Sequence, residues 1–150
     1  MRFPGTSRTT STQRGHLPPA GPKHGDVAVR DKPPADLVLL ELGASGGFDE
    51  NGLGEPAVWT TGGSYWMPYT GRDHGERRRI GLTRSADGVH WQREPSFTPI
   101  AGTDLWNREV VCDPSLEPMP AGSLRVWFGG RDRPEPDHGL NGQIGVGVLK

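Results

Sequence analysis

The sequence predicts an all-β protein in which one small sheet occurs twice. Two stretches, GFDENGLGEPAVWTTGGSYWMPYTGRD and LWNREVVCDPSLEPMPAGSLRVWFGGRD, follow the same order of residue types. Corresponding residues lie 58 positions apart at Phe48 and Trp106, 59 apart at Tyr69 and Phe128, and 64 apart at Ile80 and Ile144. The changes in spacing fall between the hydrophobic runs, as expected for insertions in the loops of a repeated unit.

Composition supports strands over helices. Only 32% of the 150 residues are hydrophobic, and the 23 glycines and 15 prolines oppose long helices. The apolar runs are short, have no helical period and are separated by clusters of Gly, Pro, Asp and Asn. Each copy therefore has the pattern of antiparallel strands joined by turns.

Charge and cysteine content exclude several classes of partner and compartment. The formal net charge of -1 gives no reason to predict a nucleic-acid or membrane partner, and the single Cys112 cannot form an intrachain disulfide. No stretch approaches the roughly 20 apolar residues of a membrane span, and the first residues lack the apolar core of a secretory signal. The sequence predicts a cytoplasmic protein.

Order is predicted to begin after residues 1–35, which are either a disordered leader or sequence upstream of the true start codon. Residues 1–35 are rich in Ser, Thr, Pro, Gly and Arg and hold too few large apolar side chains to offset the entropy of ordering them. Residues 36–150 form the predicted domain. Its first apolar run, residues 36–42, is too short for a free-standing helix and is closed by a glycine cluster, so it is predicted to be a strand.

The first copy is predicted to hold four further strands. They cover residues 56–60, 64–70, 80–85 and 90–94. The turns between them are predicted at Gly62-Gly63, at residues 71–79 and at Ala86-Asp87-Gly88, where the Asp-Gly pair is a strong turn signal.

The second copy is predicted to be shorter than the first. Its strands are expected at residues 115–117, 123–129 and 143–149, and the counterpart of the last strand of the first copy is missing. The sequence thus predicts about two blades of antiparallel four-stranded sheets, blade one over residues 48–94 and an incomplete blade two over residues 106–150. Because stacked blades normally continue until the ring closes, either the chain is a fragment of a longer propeller or several copies assemble as a homo-oligomer.

The succession FDENGLGEPAV, YWMPYTGRD, RIGLTRSADGVHW and DLWNREVVCDPSL resembles the five-bladed β-propeller glycosidases, the superfamily that includes glycoside hydrolase families 32, 43, 62, 68 and 130. The resemblance covers residues 37–150 and is greatest to family 43-type members. It implies a partial five-bladed β-propeller that acts on oligosaccharides or polysaccharides. Some related propellers hold calcium in the channel, but nothing in this sequence requires a cofactor, and its His and Cys residues lack the spacing of metal ligands.

Three carboxylates are the catalytic candidates. The first strand of every blade lines the channel of a propeller, so Glu55 and Asp113, each followed by proline, are expected to converge there from neighbouring blades. Glycoside hydrolysis needs such a pair of carboxyl groups. Asp49, in the loop before the same strand, is a third candidate.

The resemblance implies that acidic residues from different blades serve as base, pKa modulator and acid. Asp113 fits the Asp-Pro position of the family and is expected to stabilise or modulate, while Glu55 is expected to act as base. The chain departs from the family pattern, which has Asp on the first blade and the general acid on a third blade.

Candidate substrate-binding residues are Phe48, Trp106, Arg72 and Arg131. The two aromatic residues lie in loops, where they could stack on a sugar, although most aromatic side chains at repeated positions are expected to pack between blades. The repeated Arg-Asp pairs are alternatively loop hydrogen bonds that hold adjacent blades, and Asp49 and its counterpart Asn107 are alternatively turn caps.

Glycine and proline at repeated positions are expected to serve the backbone. Gly71 and Gly130 are predicted to lie in tight turns. Pro56 and Pro114 are predicted to lie where a strand begins, because a missing amide donor does least harm there.

The predicted function is that of a glycoside hydrolase-like protein with a carbohydrate substrate or ligand. The alternatives are a non-catalytic propeller that binds carbohydrate or a protein partner, and an inactive truncated fragment.

Overall fold

A computed structural model describes residues 38–134 and 142–149, all within the unit formed by residues 34–150. The predicted leader, residues 1–35, lies outside the described residues. The described part is all-β, as predicted, and forms an open sheet. The strands are β1 (Gly52–Gly54), β2 (Trp59–Thr61), β3 (Ser64–Arg72), β4 (Arg78–Ser85), β5 (Gln92–Arg93), β6 (Val110–Pro118), β7 (Leu124–Arg131) and β8 (Gln143–Leu149).

The first repeat consists of β1 to β5, and every pairing within it is antiparallel. Both β1 and β2 pair with β3, so they are two halves of one inner strand that is interrupted by residues 55–58. The β2–β3 hairpin turns through Gly62 and Gly63, whose φ angles are 57° and 74°. A two-residue turn with both φ angles positive suits the twist of a hairpin, and only glycine adopts it without steric cost.

The second repeat consists of β6, β7 and β8, again antiparallel. The register of β6 against β7 shifts between Cys112 and Ser115, which marks a β-bulge at Asp113 and Pro114. Pro114 therefore lies inside a strand and not at its start, contrary to the sequence prediction. Proline is tolerated there because a residue in a bulge makes no hydrogen bond to the neighbouring strand.

The two repeats meet through side-chain packing and few backbone bonds. One parallel pair, Arg78 with Val110, joins β4 to β6, and Ile80 exchanges two backbone hydrogen bonds with Ile100 (3.0 and 2.8 Å). Ile80, Val110 and Val111 are almost fully buried. The core of the described part thus lies where the first repeat packs against the second.

In both repeats an aromatic ring packs directly on a glycine of a strand. A Cβ atom on Gly71 would lie 2.5 Å from the Phe48 ring, and one on Gly130 would lie 2.4 Å from the Trp106 ring. Both glycines lie within strands, β3 and β7, so the prediction that they form tight turns is wrong. Glycine is needed here because the aromatic side chain of the preceding loop lies directly on the strand backbone.

Other element predictions differ from the structure in explicable ways. The predicted strand over residues 36–42 is absent in its described part, residues 38–42, where no backbone pairs with it. The sequence also did not predict β1, since Gly-Leu-Gly has low strand propensity and is ordered by pairing with β3. The strand β8 has the predicted bounds.

Within residues 38–134 and 142–149, helices of the length and hydrophobicity needed to cross a bilayer are absent. The cytoplasmic location stays a prediction.

Candidate functional site

Glu55 lies where the inner strand of the first repeat is interrupted, and Asp113 lies at the β-bulge in the inner strand of the second. Their φ angles are 55° and 53°, in the left-handed region that non-glycine residues rarely adopt. Such a conformation costs about 1–3 kcal/mol and persists where the surrounding structure holds it, commonly at functional sites. The same strained backbone conformation at two equivalent acidic residues makes this position the candidate functional site.

The structure brings the two residues together. The backbone N–H of Asp113 donates to Oε2 of Glu55 at 3.0 Å and to Oγ1 of the buried Thr70 at 3.1 Å. Glu55 and Asp113 are both exposed, so their carboxylates are open to solvent. The second repeat thus presents its acidic residue by hydrogen bonding to the first.

Cys112 supports the Asp113 carboxylate from the protein interior. Its buried thiol donates to Oδ2 of Asp113 at 3.0 Å. Burial, and then the hydrogen bond and negative charge of Asp113, raise the pKa of the Cys112 thiol to about 12. The thiol is therefore neutral at physiological pH and acts as a hydrogen-bond donor, not as a nucleophile.

One ligand-type atom from each of Glu55, Cys112 and Asp113 lies within 4.8 Å of the other two. The sequence predicted no metal ligands. It predicted that Glu55 and Asp113 converge, but it gave no sign that the Cys112 thiol turns towards the Asp113 carboxylate. The high pKa of Cys112 opposes coordination, since a thiol must lose its proton to bind a metal ion. The group is better described as two carboxylates with a neutral donor.

A cavity of about 260 Å³ adjoins Glu55 and is also lined by Thr70, Arg72 and Arg78. Small-molecule sites usually enclose about 300–1,000 Å³, so this cavity offers one wall of a binding site. Hydrogen bonds from Arg72 go to Glu76 at 3.3 Å and to the Asn51 carbonyl at 3.2 Å, which orients its guanidinium along the cavity edge.

The structure places Asp49 in a different environment. Its buried carboxylate accepts hydrogen bonds at 2.8 Å from the Tyr69 hydroxyl and from Nε of Arg93. Burial, together with the hydrogen bond to Asp49, raises the pKa of Tyr69 above its ordinary value. These contacts join the loop before β1 to β3 and β5, and they suit the structural alternative for Asp49 better than the catalytic one.

Phe48 and Trp106 have matching positions. Phe48 packs on Gly71 and Gly81, with its ring 6.0 Å from the Tyr69 ring. Trp106 packs on Gly130 and Gly145 and stacks on Phe128 at the same distance. Both rings remain half-buried, and Trp106 also lines a shallow cavity with Asp132 and Gln143. Sugar stacking by either ring stays a prediction.

Arg72 and Arg131 share a backbone role, since their carbonyls accept hydrogen bonds from the N–H groups of Asn51 (2.9 Å) and Glu109 (3.3 Å). Only Arg72 lines the cavity beside Glu55. Arg131 lies against Gly142 at the start of β8, so the structure does not bring the two arginines to one place.

Sequence analysis missed Thr70, Cys112 and Arg78. Thr70 belongs to the repeated YTGRD segment, but its counterpart is Gly129, so the repeat gave no sign of a shared function. Cys112 directly precedes Asp113, which was the available signal. Arg78 reaches the site because β4 lies beside β6.

Comparison with solved structures supports the fold. The chain is similar to a candidate glycoside hydrolase from Parabacteroides distasonis ATCC 8503 (TM-score 0.56, 18% identity), a glycosyl hydrolase from Bacteroides ovatus (0.55, 20%) and a candidate glycosidase from Bacteroides thetaiotaomicron VPI-5482 (0.52, 19%). Each match covers 68% of this chain and 30% of the other. Neither a family model nor a curated protein matches the sequence.

At these identities the likeness shows a glycoside hydrolase-like fold, consistent with a partial propeller, and leaves the activity open. The chain spans about 30% of the length of these structures.

Proposed function

We propose that the chain forms two blades of a five-bladed β-propeller of the glycoside hydrolase type and binds an oligosaccharide or polysaccharide at Glu55 and Asp113. One observation carries the proposal. Acidic residues at equivalent positions of consecutive repeats share a left-handed backbone conformation and meet through a hydrogen bond. The glycoside hydrolase-like fold supports the choice of a carbohydrate ligand.

The proposed roles follow from the surroundings of each carboxylate. Glu55 is exposed beside the cavity and acts as base towards water or as nucleophile towards the sugar. Asp113, held by Cys112, stabilises the positive charge that develops on the sugar ring in an oxocarbenium-like transition state.

The spacing limits how the pair can act. Their nearest oxygen atoms lie within 4.8 Å, which is less than the separation of about 6.5–9.5 Å between the carboxyl groups of inverting enzymes and close to that of about 5–5.5 Å in retaining enzymes. The pair therefore lacks the room for water that an inverting acid and base require. With Asp113 as the stabilising carboxylate, the proton for the leaving group comes from a third group.

The second candidate function is carbohydrate binding without turnover. It is favoured by the exposure of both residues, whose carboxylates can accept hydrogen bonds from sugar hydroxyl groups, whereas turnover also needs an acid for the leaving group. An inactive fragment is the remaining alternative.

The test combines calorimetric titration with oligosaccharides and reducing-sugar analysis on the same preparation. We expect wild-type protein to bind, and the variants Glu55→Gln and Asp113→Asn to weaken binding at least tenfold. If the protein is an enzyme, sugar release falls by about 10²–10⁴-fold in Glu55→Gln.

Glu117→Gln is the matched control, because Glu117 is an exposed acid on β6 that pairs only with Arg125 at 2.8 Å in the described part of the chain. It should bind and react as wild type does. Equal behaviour of Glu55→Gln and Glu117→Gln would remove the site assignment, and binding without sugar release would favour the non-catalytic function.

A further inference from the structure

The two repeats pack closely at one end of their junction and separate at the other. Ile80 on β4 is fully buried, whereas Leu82, two residues further along the same face of the strand, is only half-buried. Around Leu82 the repeats leave a cavity of about 520 Å³, which we call the junction cavity. Small-molecule sites usually have volumes of roughly 300–1,000 Å³. Neither Glu55 nor Asp113 lines the junction cavity, so it is separate from the candidate functional site.

Both walls of the junction cavity come from faces that the two repeats turn towards each other. In the second repeat, Leu124 of β7 pairs with Leu149 of β8. Both lie on the same side of the sheet as Val126, which is 2% exposed, and on the side opposite to Ile144. The cavity therefore belongs to the junction between the two described repeats and not to the outer face of β8.

The lining of the junction cavity is mainly aromatic and aliphatic. Trp59 and Trp66 are opposite residues of β2 and β3, and their rings stack with centroids 6.0 Å apart. Phe97 supplies a third ring. All three aromatic side chains are half-buried, so they are packed on one side and leave surface for a ligand on the other. The aliphatic part of the lining includes Leu82, Met119, Leu124 and Leu149.

Glu94 is the one charged residue that lines the cavity within the described part of the chain. Its carboxylate accepts hydrogen bonds from the hydroxyl and the backbone N–H of Ser96, at 2.6 and 3.3 Å. These hydrogen bonds, and to a lesser degree the nearby charge of Arg84, hold the pKa of Glu94 below its ordinary value. Glu94 is therefore ionised at neutral pH, and it forms no ion pair with another described residue.

Aromatic rings beside an ionised carboxylate favour a cationic ligand. The face of an aromatic ring is negative, and proteins recognise quaternary ammonium groups by surrounding them with such rings. One ring of the group already has a cation, since the guanidinium carbon of Arg84 lies 5.7 Å from the centroid of Trp66. Arg84 does not line the cavity, and no cation lies over Trp59 or Phe97 among the described residues.

We infer that the junction cavity binds a small organic cation of the quaternary or methylated ammonium class. Its charge faces Glu94 and the aromatic rings, and its apolar part packs on the leucine side chains of the second repeat. A neutral sugar fits less well, because the aliphatic wall offers no hydrogen bonds to hydroxyl groups. The inference does not rest on the proposed function, since the two sites share no residue.

Calorimetric titration of the full chain with choline and with 3,3-dimethylbutanol tests the inference. The two probes have nearly the same shape, and only choline is charged. We expect choline to bind at millimolar concentrations and 3,3-dimethylbutanol to bind about tenfold more weakly. Equal binding of the two probes, or no binding of choline, overturns the inference.

A charge-neutralising variant tests the role of the carboxylate. Glu94→Gln should weaken choline binding by about tenfold and leave the binding of 3,3-dimethylbutanol unchanged, because only the attraction between charges is lost. Glu117→Gln is the matched control, since Glu117 is an exposed acid outside the lining, and it should bind choline as wild type does. Equal effects of the two substitutions contradict the site.

Nuclear magnetic resonance locates the binding without any substitution. The indole N–H signals of Trp59 and Trp66 should shift when choline is added, whereas that of Trp127, which is 41% exposed and outside the lining, should not. Uniform shifts of all three signals would mean non-specific binding and would contradict the assignment. A neutral oligosaccharide that shifts the Trp59 and Trp66 signals at lower concentrations than choline does would assign the cavity to carbohydrate and overturn the inference.

Discussion

The two repeats of this chain share an architecture but differ in what covers them. Ile80 in the first repeat and Ile144 in the second occupy equivalent strand positions, yet one is wholly buried and the other is 82% exposed. The two repeats have the same internal contact, in which an aromatic ring from the preceding loop packs on a strand glycine. The repeated sequence therefore specifies the packing within each repeat. Whether the isoleucine on the outer strand is buried depends on whether a second repeat packs against that strand.

The inner strands differ in a way that bears on the site. In the first repeat residues 55–58 separate β1 from β2, whereas in the second repeat β6 continues through a bulge. Even so, Glu55 and Asp113 have almost the same φ angle. An equivalent local conformation is thus kept in two different strand contexts, which supports its importance.

The largest difference in the free energy of unfolding is expected between the alanine variants of Ile80 and Ile144. Ile80→Ala removes buried methyl groups at the junction of the repeats and should lower the free energy of unfolding by about 2–5 kcal/mol. Ile144→Ala should change it by less than about 0.5 kcal/mol at concentrations where the chain is monomeric. Urea unfolding measures both, and equal losses would contradict the described packing.

A smaller loss of stability is expected when the glycine beneath each aromatic ring is replaced, and it should be similar in both repeats. A Cβ on Gly71 would lie within 2.6 Å of Phe48 and Asp49, and one on Gly130 within 2.8 Å of Trp106 and Asn107. Gly71→Ala and Gly130→Ala should each cost about 1–3 kcal/mol through overpacking.

Gly54→Ala is the control for the glycine variants, since a Cβ there meets nothing within 4 Å. Thermal unfolding compares the three proteins. A stable Gly71→Ala variant would mean that Phe48 does not lie on the strand.

Local patterns predicted the fold where pairing is local. The Gly62-Gly63 hairpin and β8 follow from turn chemistry and alternation within a few residues. The strand predicted at residues 36–42 failed in its described part because an apolar run becomes a strand only when an edge is available to pair with it. Composition could not supply that information.

The candidate site was predictable only as far as the repeat extends. Equivalence of the two acid-proline positions predicted that Glu55 and Asp113 converge, and the structure brings them together. Thr70, Cys112 and Arg78 have unlike counterparts in the other repeat, so their contribution follows from strand neighbourhood and not from the sequence pattern.

Charge distinguishes Asp49 from its counterpart Asn107. Asp49 accepts from Tyr69 and Arg93, whereas the Asn107 side chain accepts a hydrogen bond at 2.9 Å from the backbone N–H of Asp104. Asp49→Asn should cost about 1–2 kcal/mol, discounted because the Arg93 side chain is 37% exposed.

The Asp49→Asn variant also separates stability from function. Its melting temperature should fall while any carbohydrate binding at Glu55 and Asp113 survives. Loss of binding in a fully folded Asp49→Asn protein would instead restore Asp49 as a site residue.

The smallest effect at neutral pH is expected at Cys112, whose counterpart is Gly54. Its pKa rises from 9.0 to about 12 on folding, so the native state keeps a proton that the unfolded chain loses. The stability from this group is complete below pH 9 and is lost as the pH rises towards 12. Cys112→Ala should reduce this alkaline decline, measured by unfolding at several pH values.

Tyr69 should add a second alkaline decline that its counterpart Phe128 cannot. Its pKa is raised in the folded protein, so destabilisation begins above the ordinary value of 10.0, and Tyr69→Phe should remove it.

The outcome that would contradict the Cys112 prediction is a fast reaction of the folded protein with a thiol reagent near pH 8, because Cys112 is buried and its pKa is high.

The ring-on-glycine contact constrains how a duplicated unit can diverge. A side chain can be added to the strand only if the ring above it becomes smaller, so the two positions must change together in evolution. Phe48 and Trp106 are both accommodated because the strand residue beneath each ring is glycine, so a copy of this unit with alanine at that strand position should carry a smaller residue in place of the ring.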